Sequence, residues 1–226
     1  MARPGEAPTP QRSALMGFSL VVAGLVALIE LGVLDYTFSR LGIDHRLFGS
    51  LLLLSIVGSL VNLPLGLIPA TVPPEQGEVT AQGRRYRVPP PPKPGKTLLA
   101  INVGGALVPA CLSIWLLASR DLFGTGALAI AAVTLVTYLL ARPVRGLGIA
   151  VPVLVPPIAA AVAALVLDPQ GAAAVAYAAG SLGTLIGADL LNLRRIGALG
   201  APVVSIGGAG TFDGVFLSGV LAVLLA

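Results

Sequence analysis

The sequence predicts an all-α protein: a polytopic transmembrane helix bundle of about seven spans. Of its 226 residues 56% are apolar, and its mean hydropathy is +0.93. Only 11% of the residues are charged, whereas soluble domains average about 25%. The apolar runs are about 20 residues long, which is the length an α-helix needs to cross a ~30 Å hydrocarbon core. We therefore expect a multi-pass protein of the cell membrane, with the lipid bilayer as its main partner.

The apolar runs divide the chain into a short tail and one membrane domain. Residues 1–14 form a polar, Pro-containing tail, and residues 15–226 form a single transmembrane domain. Prolines near the end of the second run and in the first half of the fifth predict kinked or bent helices there. The predicted spans are Leu15–Leu34, Leu47–Pro69, Leu98–Ala118, Leu122–Leu140, Leu147–Leu167, Ala172–Leu193 and Pro202–Ala226.

The long polar segment, residues 71–97, interrupts these spans. Its stretch Glu78–Val88 alternates around Gln82-Gly83, which predicts a small β-hairpin. The run Pro89–Pro92 that follows is typical of polyproline II. We predict a surface ribbon or linker on the cytoplasmic side.

Charge predicts the orientation of the chain. Eleven of the 14 Lys and Arg residues fall in the tail and in alternate loops, and the positive-inside rule places those segments in the cytoplasm. The N-terminus is then cytoplasmic and the C-terminus lies outside. Because the basic residues are spread between spans, the pI of about 9.7 does not indicate nucleic-acid binding. The chain has one cysteine, Cys111, and one histidine, His45, so we expect no disulfide framework, metal or cofactor.

Two aspartates, Asp189 and Asp213, stand in otherwise apolar sequence near the C-terminus. An ionisable residue at membrane depth indicates function by default. Gly207, Gly208 and Gly210 precede the second aspartate, and each glycine costs a helix up to about 1 kcal/mol relative to alanine. We therefore predict a break across Ser205–Thr211, with the last helix beginning near Asp213 and its N-terminus stabilising that carboxylate. Both aspartates would then lie about 7 Å below the cytoplasmic face, whereas an unbroken helix would offset them by about 10 Å.

The chemistry of two facing carboxylates follows from their charge. No Lys or Arg lies within the predicted spans to neutralise them. Two like charges cannot both ionise cheaply at close range, so one carboxyl keeps a proton. One carboxylate of such a pair can activate water as a base while the other donates to a carbonyl oxygen. We predict Asp189 and Asp213 as a proton-sharing catalytic pair.

These residues resemble the presenilin and signal-peptide-peptidase superfamily of intramembrane aspartyl proteases, which includes the prepilin peptidases. Ala188-Asp189-Leu190 is similar to the first motif, and Gly208-Ala209-Gly210, followed by Thr211-Phe212-Asp213, is similar to the Gly-x-Gly lead into the second. Two residues intervene before the second aspartate, and the Pro-Ala-Leu element after it is absent, with Asn62-Leu63-Pro64-Leu65 as a rearranged substitute. The resemblance implies a membrane peptide as substrate and assigns its binding to Gly207, Gly208, Gly210, Pro64 and Leu65. The whole chain also resembles a group of small prokaryotic membrane proteins sharing the segments GADLLNL and GGAGTFDG, which implies no activity.

Two other interpretations stay open. The first is an ion- or proton-coupled transporter, because an aspartate at a helix break is a common coupling site. The second is structural: Asp213 caps its helix, and Asp189 bonds to Asn192, Ser181 or Thr184. Asn62 and Asn102 are predicted to hydrogen-bond between helices.

Overall fold

A computed structural model describes residues 32–71, 77–81, 84–88, 95–144, 148–208 and 214–226. This part of the chain is mostly helical and also carries β-strands. The helices are α1 (Val33–Arg40), α2 (His45–Gly58), α3 (Val103–Ser119), α4 (Phe123–Leu140), α5 (Val155–Leu167), α6 (Ala172–Ile196) and α7 (Gly214–Leu225). The strands are β1 (Asn62–Pro69), β2 (Gly77–Ala81), β3 (Arg84–Val88), β4 (Lys96–Asn102), β5 (Arg142–Val144), β6 (Gly148–Ala150) and β7 (Val203–Ile206).

The three-stranded sheet brings the middle and the end of the chain together. β4 lies in its centre, antiparallel to β1 and parallel to β7. Asn62 pairs with Asn102, and Ile101 pairs with Ile206. The carboxyl ends of β4 and β7 therefore meet at one edge of the sheet, beside the start of β1. α3 follows β4 directly at this edge.

The all-α prediction is not confirmed, because strands occupy several of the apolar runs. Short apolar runs of four to eight residues cannot be assigned to helix or strand by periodicity alone. In β1, Pro64 and Pro69 disfavour a helix interior, and β1 can accept them as an edge strand of the described sheet. The smaller prediction of a hairpin in Glu78–Val88 is confirmed by the antiparallel pair β2–β3.

Seven spans are not confirmed either. The described residues contain two helices that are long and apolar enough to cross a membrane, α4 and α6, and both match predicted spans. The predicted second span is divided between α2 and β1, and the third between β4 and α3. The predicted fifth span is helical only in α5, after the two-stranded pair β5–β6. Most of the first predicted span and the tail lie outside the described residues.

The break in the last predicted span is confirmed for the residues described. Pro202–Ala226 is not one continuous helix, since β7 ends at Ile206 and α7 begins at Gly214. Gly207 and Gly208 between them have φ angles of +77° and +91°. Gly210 and Asp213 lie outside the described residues.

α6 is the central helix of the described part. From Ala172 to Gly180 all its residues are buried. Small residues let its neighbours approach: Gly183 and Gly187 pack against α4, and Gly180 packs against α7. Helices around it expose large apolar side chains, including Leu128, Leu139 and Val166 at 61%, 70% and 76%. Soluble proteins seldom expose such contiguous apolar surface.

Candidate active site

Asp189 lies where α6 departs from regular helical geometry. It is the last residue of a π-helical turn, Leu185–Asp189, and a 3₁₀ turn, Leu190–Asn192, follows it. The buried Asn192 donates from its amide nitrogen to the carbonyls of Gly187 and Ala188, both at 3.0 Å. Asn192 thus bonds to two carbonyls of the irregular turn. π-helical turns occur frequently at functional sites.

The half-buried carboxylate of Asp189 is bonded to the glycine-rich segment that follows β7. Its Oδ2 accepts a hydrogen bond from the backbone N–H of Gly207 at 2.7 Å. A side chain on Gly207 would lie 2.6 Å from the Ala106 Cβ, and the left-handed φ of Gly207 also disfavours any residue with a side chain. Glycine is therefore required at 207 both by backbone conformation and by space. The bond fixes the start of the Gly-rich segment at the level of Asp189.

A cluster of amide and hydroxyl side chains holds the sheet edge beside this bond. The Asn102 amide nitrogen donates to the Ser59 carbonyl at 2.8 Å and to Asn62 Oδ1 at 3.1 Å. Its oxygen accepts from the Gly105 N–H at 2.7 Å and so caps α3. Ser205 Oγ donates to the same Asn62 oxygen at 2.6 Å. The cluster links α2, all three strands and the start of α3.

Asn62 and Asn102 were predicted to hydrogen-bond between helices; they bond to each other across the strand pair β1–β4 instead. Ser205 and Gly105 were not predicted, because their contacts depend on strand pairing between distant segments. A sequence signal does exist: an apolar strand followed by paired glycines occurs twice, as Asn102-Val103-Gly104-Gly105 and as Ile206-Gly207-Gly208. Recognising this repeat would have placed both glycine pairs at one sheet edge.

A cavity of about 260 Å³ lies against Asp189. Asp189 is the ionisable residue among its lining, and Thr184 and Ser218 add hydroxyl groups. The remaining lining is apolar and comes from β6 and the segment after it, from α5, from α6 and from the first turn of α7: Ile149, Ala150, Val151, Pro152, Val153, Pro156, Ala188 and Val215. A mostly apolar cavity with a few convergent polar groups is typical of a binding site.

The structure brings some of the predicted site residues together. Asp189 and Gly207 are in contact, and Gly208 is adjacent. Pro64 and Leu65 are exposed in β1, which β4 separates from β7, and they do not line this cavity. Asp213 and Gly210 are outside the described residues, so the distance between the two carboxylates stays a prediction.

Two of the three residues named as structural partners of Asp189 make other hydrogen bonds. Thr184 donates to the Gly180 carbonyl at 2.6 Å, and Asn192 donates within its own helix. The described residues contain no group of three or more His, Cys, Asp or Glu side chains placed to hold a metal ion.

Comparison with known proteins places the chain in a family. No curated protein and no solved structure matches it. A family described as "Protein of unknown function (DUF1614)" matches residues 56–225, which include the sheet, the cavity and Asp189. The match covers most of the chain, and the protein therefore belongs to the DUF1614 family.

Proposed function

We propose that this protein is an intramembrane aspartyl protease-like enzyme of the cell membrane. Asp189 and Asp213 form its proton-sharing pair, and a transmembrane or membrane-adjacent peptide is its substrate. The chain is multi-pass, with a cytoplasmic N-terminus and an external C-terminus. The resemblance of the two aspartate segments to intramembrane aspartyl proteases motivates the proposal.

One observation carries the proposal: the 2.7 Å bond from the Gly207 N–H to Asp189 Oδ2. It joins the helix of the first aspartate to the segment that leads to the second. Gly207 precedes Asp213 by six residues, and Val215, two residues after Asp213, lines the same cavity as Asp189. Both flanks of Asp213 thus lie beside Asp189, which supports a close approach of the two carboxylates.

Membrane location is supported by the two long apolar helices and by the apolar outer surface. α7 has 12 residues and is about 18 Å long, which is short of a ~30 Å core. If its end reaches the outer face, the Gly-rich segment lies within the membrane. Irregular backbone is tolerated at that depth where it is buried in protein or lines a cavity. The buried Gly207 beside the Asp189 cavity meets that condition.

The proposed chemistry is acid–base hydrolysis. One carboxylate takes a proton from water as the water attacks the peptide carbonyl, and the protonated partner donates to the carbonyl oxygen. The Gly-rich segment lets a substrate backbone come close to the pair. β7 is an outermost strand of the described sheet, so its backbone groups that face away from β4 can pair with an extended substrate. Pro64 and Leu65 present an apolar surface on β1, the outermost strand on the other side of the sheet.

Cleavage of a labelled transmembrane peptide by the purified protein tests the proposal. We expect Asp189→Asn and Asp213→Asn each to lower the cleavage rate at least about 100-fold, since each removes a general acid–base group. Asp168→Asn is the matched control. Asp168 is also half-buried and also accepts a glycine N–H, from Gly171 at 2.9 Å, but it does not line the cavity.

Loss of cleavage in both site variants, with the control retaining the wild-type rate, supports the protease. Equal rates in all four proteins, or no cleavage by the wild type under conditions in which it is folded, would contradict it.

A second candidate function is ion- or proton-coupled transport. The observation that favours it is the set of oxygen groups, from Asp189, Thr184 and Ser218, around one cavity. Reconstitution into liposomes containing a pH-sensitive dye distinguishes the two functions. A proton or cation flux that Asp189→Asn abolishes, without peptide cleavage, identifies the transporter.

A further inference from the structure

A row of hydroxyl side chains extends along the interface of α6 and α7, away from Asp189. Thr184 and Ser218 line the cavity. Ser181 lies about one helical turn before Thr184 on α6, and Tyr177 lies one turn before Ser181. Ser181 is 1% exposed and Tyr177 is 0% exposed. Neither side chain has a role in the proposed peptide hydrolysis.

The two deeper hydroxyls are buried without a well-formed hydrogen bond. Tyr177 Oη and Ser181 Oγ lie within reach of each other, but neither makes a hydrogen bond of good geometry with a described residue. The hydroxyls of Ser55, Thr134 and Thr137 are also buried without a hydrogen-bond partner among the described residues, whereas Ser113 donates to the Pro109 carbonyl at 2.7 Å. Burying a hydroxyl without a partner is costly, so polar groups in this environment are normally bonded to protein or to water.

Ser181 and Tyr177 do not line the cavity but pack beside Ser218, which does. Both pack against Gly219, where an added side chain would meet the Ser181 hydroxyl and lie 3.0 Å from the Tyr177 ring. Gly219 directly follows Ser218, and the Ser218 carbonyl packs against Gly180. The four side chains therefore lie along one packed helix interface that begins at the cavity.

We propose that Tyr177, Ser181, Thr184 and Ser218 form a water-binding site continuous with the Asp189 cavity. A buried water needs two to four polar partners, and hydroxyls serve both as donors and as acceptors. The ligand is water, held beside a carboxylate within an otherwise apolar helix interface. The site would supply water or a proton route to Asp189, and its existence does not depend on which reaction Asp189 serves.

Thiol reactivity tests water access without reference to activity. In a Cys111→Ser background, which removes the exposed native thiol, Thr184, Ser181 and Ser113 are changed singly to cysteine. The purified proteins in phosphatidylcholine nanodiscs are treated with Ag⁺, a small soft cation that binds thiolates. The extent to which Ag⁺ protects each cysteine from later alkylation in denaturant gives the rate of its reaction with Ag⁺. We expect Ser181→Cys to react within about tenfold of Thr184→Cys and about 100-fold faster than Ser113→Cys, because only hydrated thiols ionise readily.

Ser113 is the control because it is equally buried, on α3, and does not line the cavity. A Ser181→Cys rate as slow as that of Ser113→Cys overturns the proposal, and so does an unreactive Thr184→Cys. The Tm of Ser181→Ala gives a second measurement that needs no cysteine. A hydrated hydroxyl predicts a lowered Tm, whereas a raised Tm means that an unpaired dry hydroxyl was removed, which also overturns the proposal. A protein that cleaves no peptide but shows fast Ser181→Cys labelling would retain the water site and lose only the protease.

Discussion

The contact between Gly105 and Gly207 is the closest approach of the two glycine pairs at the sheet edge. A Cβ added to Gly105 would overlap the Gly207 carbonyl oxygen, a backbone atom that has no side-chain freedom to move away. The backbone N–H of the same residue, Gly207, donates to Asp189. A change at Gly105 on α3 is therefore expected to act on the position of the Asp189 carboxylate without touching it.

We predict that Gly105→Ala lowers the free energy of unfolding by about 1–3 kcal/mol, the usual effect of overpacking. The matched control is Gly124→Ala on α4, where an added Cβ meets nothing within 4 Å and alanine improves helix propensity. Denaturant unfolding of both variants in detergent provides the measurement. Equal stability of the two variants would show that the packing at Gly207 is looser than the structure indicates.

At the scale of elements, one side chain holds the sheet edge in place. Asn102 donates to α2 and β1 and accepts from α3, whereas the Asn62 oxygen only accepts, from Asn102 and from Ser205. The same isosteric change is therefore expected to affect stability much more at Asn102 than at Asn62. Asn102→Asp removes a donor from two acceptors and places a charge against them, while Asn62→Asp keeps an acceptor at an exposed position.

We expect Asn102→Asp to destabilise the protein by about 2–3 kcal/mol, as for a buried polar group that loses its partner. Asn62→Asp should change stability by less than about 1 kcal/mol. Thermal unfolding followed by circular dichroism tests the pair. If Asn62→Asp is as damaging as Asn102→Asp, the direction of the hydrogen bond between the two amides is the reverse of that described.

Elements with a strong local sequence signal were predictable, whereas strands that form only by pairing with segments far away in the chain were not. The helices in Leu122–Leu140 and Ala172–Leu193 follow from long apolar stretches without proline, and the broken last segment follows from its glycines. β4 and β7 are apolar enough to continue a helix, and only pairing with distant segments makes them strands, whereas the prolines of β1 also disfavour a helix. The site residues differ for the same reason. Asp189 could be predicted because carboxylates are rare in apolar sequence. The contact of Ser205 with Asn62 could not, because the two residues are 143 positions apart in the chain.

The described helices expose many large apolar side chains, which suits a membrane protein and is seldom seen in a soluble one. On α4 the side chains of Leu135 and Leu139 are 58% and 70% exposed. Leu135 lies inside the helix, and Leu139 is one residue from its end at Leu140. The effect of a charged side chain at these two positions should differ between lipid and water. In water, an exposed Leu→Arg change is nearly neutral at either position, whereas in lipid its effect depends on depth.

We predict that Leu135→Arg lowers membrane insertion strongly, by up to about 2.5–3.5 kcal/mol for a charge near the helix centre. Leu139→Arg should be tolerated, because its long side chain can reach the headgroups from the end of the helix. The fraction of each variant that stays in the membrane pellet after alkaline carbonate extraction measures the difference. Two variants that partition like the parent chain would mean that α4 does not cross a membrane, and the proposed depth of Asp189 would lose its support. A loss confined to Leu135→Arg would place the outer surface of α4 in lipid and leave the cavity beside Asp189 as a polar site within the bilayer.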